Sequence, residues 1–198
     1  MDSRTRLVEA TQDLLWEQGY SATSPKDIMR RSGAGQGSMY HHFTNKQELA
    51  VVALECSAQS MRHDTEKLLA TDGSAYEIAT AYLRRQRDVL KGCRMGRMTF
   101  DADVLNTPEL IEPVTRTFVW LIEALTVLFE RGRDQGEFAA DIDARNLASL
   151  VVATVQGGYV LARATRDVDA FDAAVEGAAA LLRKATVPLT TEVSDHSE

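Results

Sequence analysis

A short run near the N-terminus, Gln36 to His41, concentrates side chains that can bond to nucleic-acid bases. The Gln36 amide can pair bidentately with adenine, and the Ser38 hydroxyl can serve several bases. Tyr40 and His41 add further donors and acceptors. Gly37 has no side chain and lets the backbone approach a groove wall or a phosphate closely. These residue types therefore predict hydrogen-bond recognition of base edges.

The residues before this run predict the elements that hold it. Ser24 is a good N-cap and Pro25 suits the first helical position. Gly33 can take the left-handed conformation that ends a helix, so a helix is predicted over 25–32. After a tight turn a second helix is predicted over 36–43. Two short helices joined by such a turn form a helix-turn-helix, whose second helix can enter the DNA major groove.

A third helix completes the predicted trio. Met39 and Phe43 are expected to point inward, away from the groove. Thr44 or Asn45 is expected to cap the third helix. Lys46 lies at its start, where a positive charge opposes the helix dipole. A cation in this unfavourable place indicates an outside partner, and a DNA phosphate fits.

Residues 3–50 resemble the DNA-binding domain of the TetR family of transcriptional repressors. The resemblance departs at Gly35, where the family usually has a capping Ser, and at Gln36, which is often Lys. The matching residues, in family order and spacing, are Gly19, Tyr20, Thr23, Ile28, Gly33, Gly37, Tyr40, His42, Phe43, Lys46 and Leu49.

The resemblance implies a homodimeric repressor that binds a palindromic double-stranded operator and is released by a small-molecule inducer. No cofactor is implied. Sequence would be read in the major groove, while contacts to phosphates would position the protein without reading sequence. The side chains expected at bases are those of Gln36, Ser38, Tyr40 and His41, with Gly37 among them, and those expected at phosphates are Thr23, Ser24, Lys26 and Lys46.

The rest of the chain predicts an all-α fold of about nine helices. It would comprise a helix-turn-helix domain over 1–46, a helical ligand-binding and dimerisation domain over 47–187, and a disordered tail over 188–198. The predicted helices are 3–18, 25–32, 36–43, 46–70, 75–90, 97–105, 108–134, one to 165 capped by Asp141 or Asp143, and one to 185 capped by Asp167 or Asp169. Pro113 predicts an irregular first turn in the 108–134 helix, which would become regular near Glu112.

The last two predicted helices are apolar on nearly every face, so they must be buried on several sides. A monomer core would explain this, and so would a four-helix bundle formed by two subunits. The resemblance implies the bundle. The residues expected at the dimer interface are Val155, Gly158, Leu161, Phe171, Val175, Ala178 and Leu182.

The middle helices contain aromatic and methionine residues that could line an adaptable apolar cavity or form an ordinary core. The resemblance implies that a small molecule binds in this domain. The pocket candidates are Met95, Met98, Phe100, Phe118, Trp120 and Tyr159. A second hypothesis is a thiol or electrophile sensor at Cys93, which has Lys91, Arg94 and Arg97 nearby. A buried structural cysteine is the simpler alternative.

Composition and motifs exclude several other classes. The net charge of −7 argues against a generic nucleic-acid binder, and the whole excess lies in residues 51–198, because residues 1–50 hold six acidic and six basic residues. The sequence contains no run of eighteen apolar residues, so no membrane-spanning helix is predicted. Two distant cysteines and the absence of an N-terminal signal predict a cytoplasmic protein. No metal-binding or catalytic motif occurs, so neither a metal site nor an enzyme is expected, and a helical interaction module is a minor alternative.

Overall fold

The computed structural model describes residues 2–187, so the predicted tail lies outside the described residues. The fold is all-α, as predicted, and the described part of the chain contains ten helices and no strand. In chain order they are α1 (Ser3–Gln18), α2 (Pro25–Ser32), α3 (Gln36–His42), α4 (Lys46–Leu69), α5 (Ala75–Arg84), α6 (Arg94–Met98), α7 (Ala102–Leu105), α8 (Pro108–Asp134), α9 (Ala144–Thr165) and α10 (Asp169–Ala185).

Helix α5 ends at Arg84, six residues before the predicted end at Leu90. The backbone turns to an extended conformation at Arg85. The guanidinium of Arg87 then donates to the carbonyls of Tyr82, Leu83 and Arg85. These bonds satisfy carbonyls that a continuing helix would have used, so the side chain of Arg87 stabilises the early end.

The single helix predicted over 97–105 is two short helices, α6 and α7. Cys93 caps α6, because its Sγ accepts a hydrogen bond from the Gly96 amide at 3.3 Å. Asp101 adopts an extended conformation between the two helices, and its carboxylate accepts from the amides of Asp103 and Val104 at the start of α7. A second N-cap within the segment is what divides it.

Helix α8 is continuous from Pro108, and Pro113 lies inside it. The irregular first turn that Pro113 predicts is therefore not present. Pro113 lies in the second turn, where the missing amide removes only one intrahelical hydrogen bond. The ring is also buried.

Two hydrophobic clusters organise the described chain, and Phe118 packs against both. The first joins α1–α4 to Met95, Met98, Val104 and the start of α8. The second lies among α5, α8, α9 and α10. The first cluster continues past the predicted domain boundary at residue 46, so α1–α4 and α6–α8 share one core.

By length and composition alone, α9 could cross a membrane. Its inner residues, among them Val151, Val155 and Ala162, are buried in the second cluster with α8 and α10. The sequence prediction of no membrane span had counted only unbroken apolar runs. Core packing therefore accounts for the apolar inner face of α9.

Candidate functional site

The exposed surface of α3 carries the residues predicted to read bases. Gln36, Gly37, Tyr40 and His41 are exposed, and Ser38 is half-buried. Tyr40 keeps 49% of its surface accessible, which is high for a large aromatic side chain. These five residues therefore lie on the solvent-facing side of α3, with Ser38 at its partly covered edge.

The opposite face of α3 holds the helix in place. Met39 and Phe43 are almost fully buried in the first cluster, as predicted. Gly33 ends α2 at φ 65°, in the left-handed region that glycine adopts without strain. Ser3 Oγ and His42 Nε2 form a hydrogen bond of 2.8 Å that joins α1 to α3. Helix α3 is thus held by α1 and by the first cluster, to which α4 also contributes.

The four residues predicted to hold phosphates differ in how free their side chains are. Lys26 is exposed. The Ser24 hydroxyl accepts from the Asp27 amide and the Ser24 amide donates to Asp27 Oδ2 at 3.2 Å, which together form the capping box of α2. The Ser24 hydroxyl also donates to Asp27 Oδ2 at 2.6 Å. Thr23 is buried, and its hydroxyl donates to the Gly19 carbonyl at 2.6 Å. The hydroxyls of Ser24 and Thr23 therefore already have partners inside the protein, whereas the side chain of Lys26 faces solvent.

Lys46 has partners inside the protein. Its Nζ donates to the carbonyls of Tyr20 and Thr23 at 3.1 and 3.0 Å and lies 3.8 Å from the centroid of the Tyr20 ring. Partial burial lowers the pKa of this ammonium group, and the nearby Asp103 and Asp101 carboxylates partly oppose that effect. The start of α4 is capped separately, because Asn45 accepts from the Glu48 amide. Internal carbonyls therefore explain a cation at this helix start, and its phosphate contact stays a prediction.

A polar contact ties the loop between α1 and α2 to the segment between α6 and α7. The Ser21 amide donates to Asp101 Oδ2 at 2.9 Å. The Ser21 hydroxyl lies 2.6 Å from Asp101 Oδ1 and 2.8 Å from Asp103 Oδ2. One hydroxyl proton can serve only one of these carboxylates at a time. We call this contact the Ser21–Asp101 tie.

A cleft of about 800 Å³ borders α1 and α4. Its volume falls within the usual range for small-molecule sites. Six helices and the loop after α5 contribute to its walls, including Trp16 of α1, Met61 of α4, Tyr82 of α5, Met95 of α6, Leu121 of α8 and Tyr159 of α9. Helices α1 and α4 share the first cluster with α3, so a molecule in this cleft would contact two helices that pack with α3.

The structure distributes the six pocket candidates over several places. Met95 and Tyr159 line the large cleft. Trp120 lies at a separate small cavity with Arg62. Phe100 is 77% exposed at a shallow site beside α9. Met98 and Phe118 pack within the hydrophobic clusters instead of at the cleft.

Neither cysteine forms a disulfide, and both are half-buried. Cys93 lines the large cleft while its Sγ serves as the N-cap of α6. Cys56 packs against the first cluster. In the described residues no group of three or more His, Cys, Asp or Glu side chains could hold a metal ion.

Six of the seven residues expected at a dimer interface are buried inside one chain. Gly158 illustrates the reason, because an added Cβ would lie 2.7 Å from Phe171 Cδ2. Of the seven, only Leu161 faces solvent, with 51% of its surface exposed. The buried six are Val155, Gly158, Phe171, Val175, Ala178 and Leu182.

The outward face of the same two helices is also apolar. Leu161 of α9 and Leu181 of α10 are both more than half exposed. Between them lies a shallow groove whose floor includes Gly157 and Gly177, where an added Cβ would meet nothing within 4 Å. This outward groove has the small and apolar residues that close packing of two helix pairs requires.

Comparison with known proteins gives the family. Residues 7–53 match the family model of bacterial regulatory proteins of the tetR family, and residues 73–178 match that of the tetracyclin repressor-like C-terminal domain. The chain belongs to the TetR family. It is a DNA-binding transcriptional regulator of this family and not an enzyme. The resemblance drawn from residues 3–50 is thereby confirmed.

Individual TetR-family proteins resemble the chain over most of its length. The uncharacterized HTH-type transcriptional regulator YxaF of Bacillus subtilis (strain 168) is 24% identical over 173 residues, which cover 84% of this chain and 87% of that protein. The crystal structure of a TetR transcriptional regulator from Chloroflexus aurantiacus J-10-FL aligns with a TM-score of 0.83 and 27% identity, covering 93% of this chain and 96% of that chain. A cysteine mutant of the TetR family regulator CifR, solved with 26-base-pair double-strand operator DNA, aligns with a TM-score of 0.75 and 21% identity over 89% and 94% of the chains.

Several residues that line the large cleft were not predicted from the sequence. They include Trp16, Tyr82, Arg85 and Arg87. A local signal existed, because three arginines fall within the four residues from Arg84 to Arg87. Three arginines so close together cannot all pack in an apolar core, so the cluster indicates a polar surface or a polar site.

Proposed function

We propose that the protein is a ligand-responsive repressor that acts as a homodimer on a palindromic operator in the cytoplasm. The observation that carries this proposal is the position of the cleft, which borders the second hydrophobic cluster and is walled in part by α1 and α4. A molecule bound there contacts the two helices that brace α3. Ligand binding and DNA binding thus act on the same elements.

The proposed DNA interface is the exposed surface of α3 in the major groove. Gln36, Ser38, Tyr40 and His41 bond to base edges, and Gly37 approaches the DNA backbone closely. Lys26 holds a phosphate, with Ser24 and Thr23 nearby. Lys46 supports the same surface through its bonds to the carbonyls of Tyr20 and Thr23.

The proposed dimer forms through the outward groove of α9 and α10. Two helices from each subunit pack as a four-helix bundle, with Leu161 and Leu181 at its apolar core and Gly157 and Gly177 allowing close approach. A dimer of this kind binds two half-sites about 34 Å apart, one helical turn of DNA. A small change in the separation of the two α3 helices then costs affinity.

The proposed response has two routes from the cleft to α3. The first is α4, whose Ser57, Met61 and Asp64 face the cleft and whose start carries Lys46. The second runs from the cleft residues Cys93, Arg94 and Met95 through α6 to the Ser21–Asp101 tie. The ligand must bind the DNA-free conformation better than the DNA-bound one, because only differential affinity shifts the equilibrium.

Thiol sensing by Cys93 is the weaker alternative. The Cys93 Sγ already accepts a backbone hydrogen bond, and its neighbour Arg94 is paired with Asp13 at 3.2 Å. The basic neighbourhood on which the sequence argument rested is thus partly neutralised. The large cleft supports non-covalent binding more directly.

Selection of binding sites from random duplex DNA by the full chain tests the proposal. The selected sites should show two-fold symmetry with half-site centres about one helical turn apart. Sedimentation of the complex should give an even number of chains per site. Selection of an asymmetric site bound by a single chain would overturn the homodimer and the palindromic operator together.

A further inference from the structure

Two half-buried arginines without a carboxylate partner line the large cleft, and we propose that they bind the carboxylate group of an organic anion. The ligand class is a monocarboxylate with an aromatic or aliphatic body. This inference rests on the proposed function of the cleft as the ligand site. It adds the charge and the shape that the ligand must have.

The first of the two arginines is Arg85, directly after α5. It is half-buried, and its Nη1 donates to the Thr65 hydroxyl at 3.1 Å. Its guanidinium carbon lies 4.6 Å from the centroid of the Tyr82 ring. Both partners are neutral groups, so the positive charge of Arg85 is not compensated by either of them.

The second is Arg87, whose guanidinium donates to three backbone carbonyls. Its Nε is buried and has no hydrogen-bond partner among the described residues. Burial lowers the pKa of Arg87, and the charge of Arg85 lowers it further. Within the described chain no carboxylate oxygen lies within 4 Å of a side-chain nitrogen of Arg85 or Arg87. Two positive charges therefore oppose each other in a poorly solvated place, and an anion between them would relieve that repulsion.

The acidic residues of the cleft are placed elsewhere. Glu9, Asp64 and Asp88 are exposed at its rim. Asp13 is paired with Arg94. Water screens exposed carboxylates at the rim more strongly than it screens half-buried arginines. The part of the cleft lined by Arg85 and Arg87 is thus its positive and more buried part.

The walls around the two arginines fit an apolar body. Tyr82, Leu121 and Val155 are almost fully buried and face the cleft, and the Tyr159 ring lies beside them. Burial raises the pKa of Tyr159 to about 12, so its hydroxyl stays protonated at neutral pH and can donate to a carboxylate. Charge-assisted hydrogen bonds from guanidinium groups and an aromatic wall together select a carboxylate with an apolar body.

Calorimetric titration of the full chain with three probes that share a naphthalene ring and have similar size tests the charge preference. The probes are 2-naphthoate, the neutral 2-naphthamide and the cationic 2-naphthylmethylammonium. We expect 2-naphthoate to bind about tenfold more tightly than 2-naphthamide, because hydrogen bonds to a charged group are stronger than those to a neutral one. The cationic probe should bind most weakly.

Arg85 is the residue to vary, since Arg87 also holds the end of α5. Arg85→Gln should abolish the preference for 2-naphthoate over 2-naphthamide, and Arg85→Lys should retain part of it. Arg84→Gln is the matched control, because Arg84 pairs with Glu176 at 2.5 Å and does not line the cleft. This control should keep the full preference.

Three results would overturn the proposal: no binding of 2-naphthoate at millimolar concentration, equal affinity for 2-naphthamide, or a preference that survives Arg85→Gln. The selected operator gives a separate readout for the proposed function. If 2-naphthoate binds with the expected preference but leaves operator affinity unchanged, the anion site stands and ligand-driven release from DNA does not.

Discussion

Ser21 and Asp101 are 80 positions apart in the chain and are joined by two hydrogen bonds, from the Ser21 amide at 2.9 Å and from its hydroxyl at 2.6 Å. Ser21 belongs to the loop before α2, and Asp101 caps α7. Partial burial alone would raise the pKa of Asp101, but the hydrogen bonds from Ser21 and from the amides of Val104 and Tyr20 outweigh it and lower the pKa. Asp101 therefore remains an anion throughout the neutral range, and its stabilising effect is lost only as the pH falls through that lowered pKa.

The tie can be weakened without removing the cap of α7. Ser21→Ala deletes the hydrogen bond from the Ser21 hydroxyl to Asp101. It leaves the bonds that the Asp101 carboxylate accepts from the amides of Asp103 and Val104 in α7. We expect faster amide hydrogen exchange over residues 19–24 and a smaller change in operator affinity on ligand binding. Ser21→Thr keeps a hydroxyl and is the matched control. If amide hydrogen exchange and the ligand response are both unchanged in Ser21→Ala, the tie does not couple the cleft to helices α1–α4.

Two lysines near the proposed DNA interface should behave differently. Lys26 is exposed, so Lys26→Ala should leave the melting temperature unchanged, weaken binding to all sequences alike and lower the salt slope by about one unit per subunit. Lys46 donates to two carbonyls, and the Tyr20 carbonyl also accepts from the Thr23 amide, whereas the Thr23 carbonyl depends on Lys46. Lys46→Ala should therefore also lower the free energy of unfolding, by roughly 1–3 kcal/mol for the unsatisfied Thr23 carbonyl. Thermal unfolding and operator affinity at several salt concentrations separate the two roles. Equal melting temperatures for the two variants would contradict the assignment of Lys46 as an internal support.

The dimer surface is tested by a charge placed on the outward groove. Gly177 has open space around it, so Gly177→Arg should leave each subunit folded, give monomers and abolish operator binding. Val127 is a 64% exposed residue on α8 outside the groove, and Val127→Arg is the control that should remain dimeric. Gly158→Arg would be a poor test, because Gly158 packs on Phe171 inside one chain. An unchanged mass of Gly177→Arg by light scattering would exclude this groove as the interface.

The parts of the structure that follow from local sequence were predictable. The ends of α2 are set by Ser24, Pro25 and Gly33, all within or beside the helix, and they lie where predicted. The end of α5 was not predictable from periodicity, because it depends on the side chain of Arg87 reaching back to carbonyls. The tie between Ser21 and Asp101 depends on residues far apart in the chain, so no local pattern indicates it.

The apolar helices show a second limit of sequence reasoning. When nearly every face of α9 and α10 is apolar, periodicity cannot tell the face that packs inside a subunit from the face that meets another one. The predicted interface therefore named Val155 and Phe171, which are buried in the chain's own core, and missed Gly177 and Leu181, which line the outward groove. Met95 and Tyr159 were predicted at the pocket and line the cleft, but most of its walls could not be predicted. Arg85 and Arg87 come from a loop, and the aromatic walls come from three different helices.

The most direct test of the central claim is the affinity of Gln36→Ala for the selected operator and for a set of its single-base variants. Gln36 is exposed at the first turn of α3, the part of a recognition helix that reaches base edges. Loss of a base contact should cost roughly 1–3 kcal/mol on the preferred operator and remove the preference at one position in each half-site. Lys26→Ala, measured on the same set, should lower every affinity and preserve the ranking of the variants. If Gln36→Ala preserves the ranking as well, α3 does not read the bases as proposed.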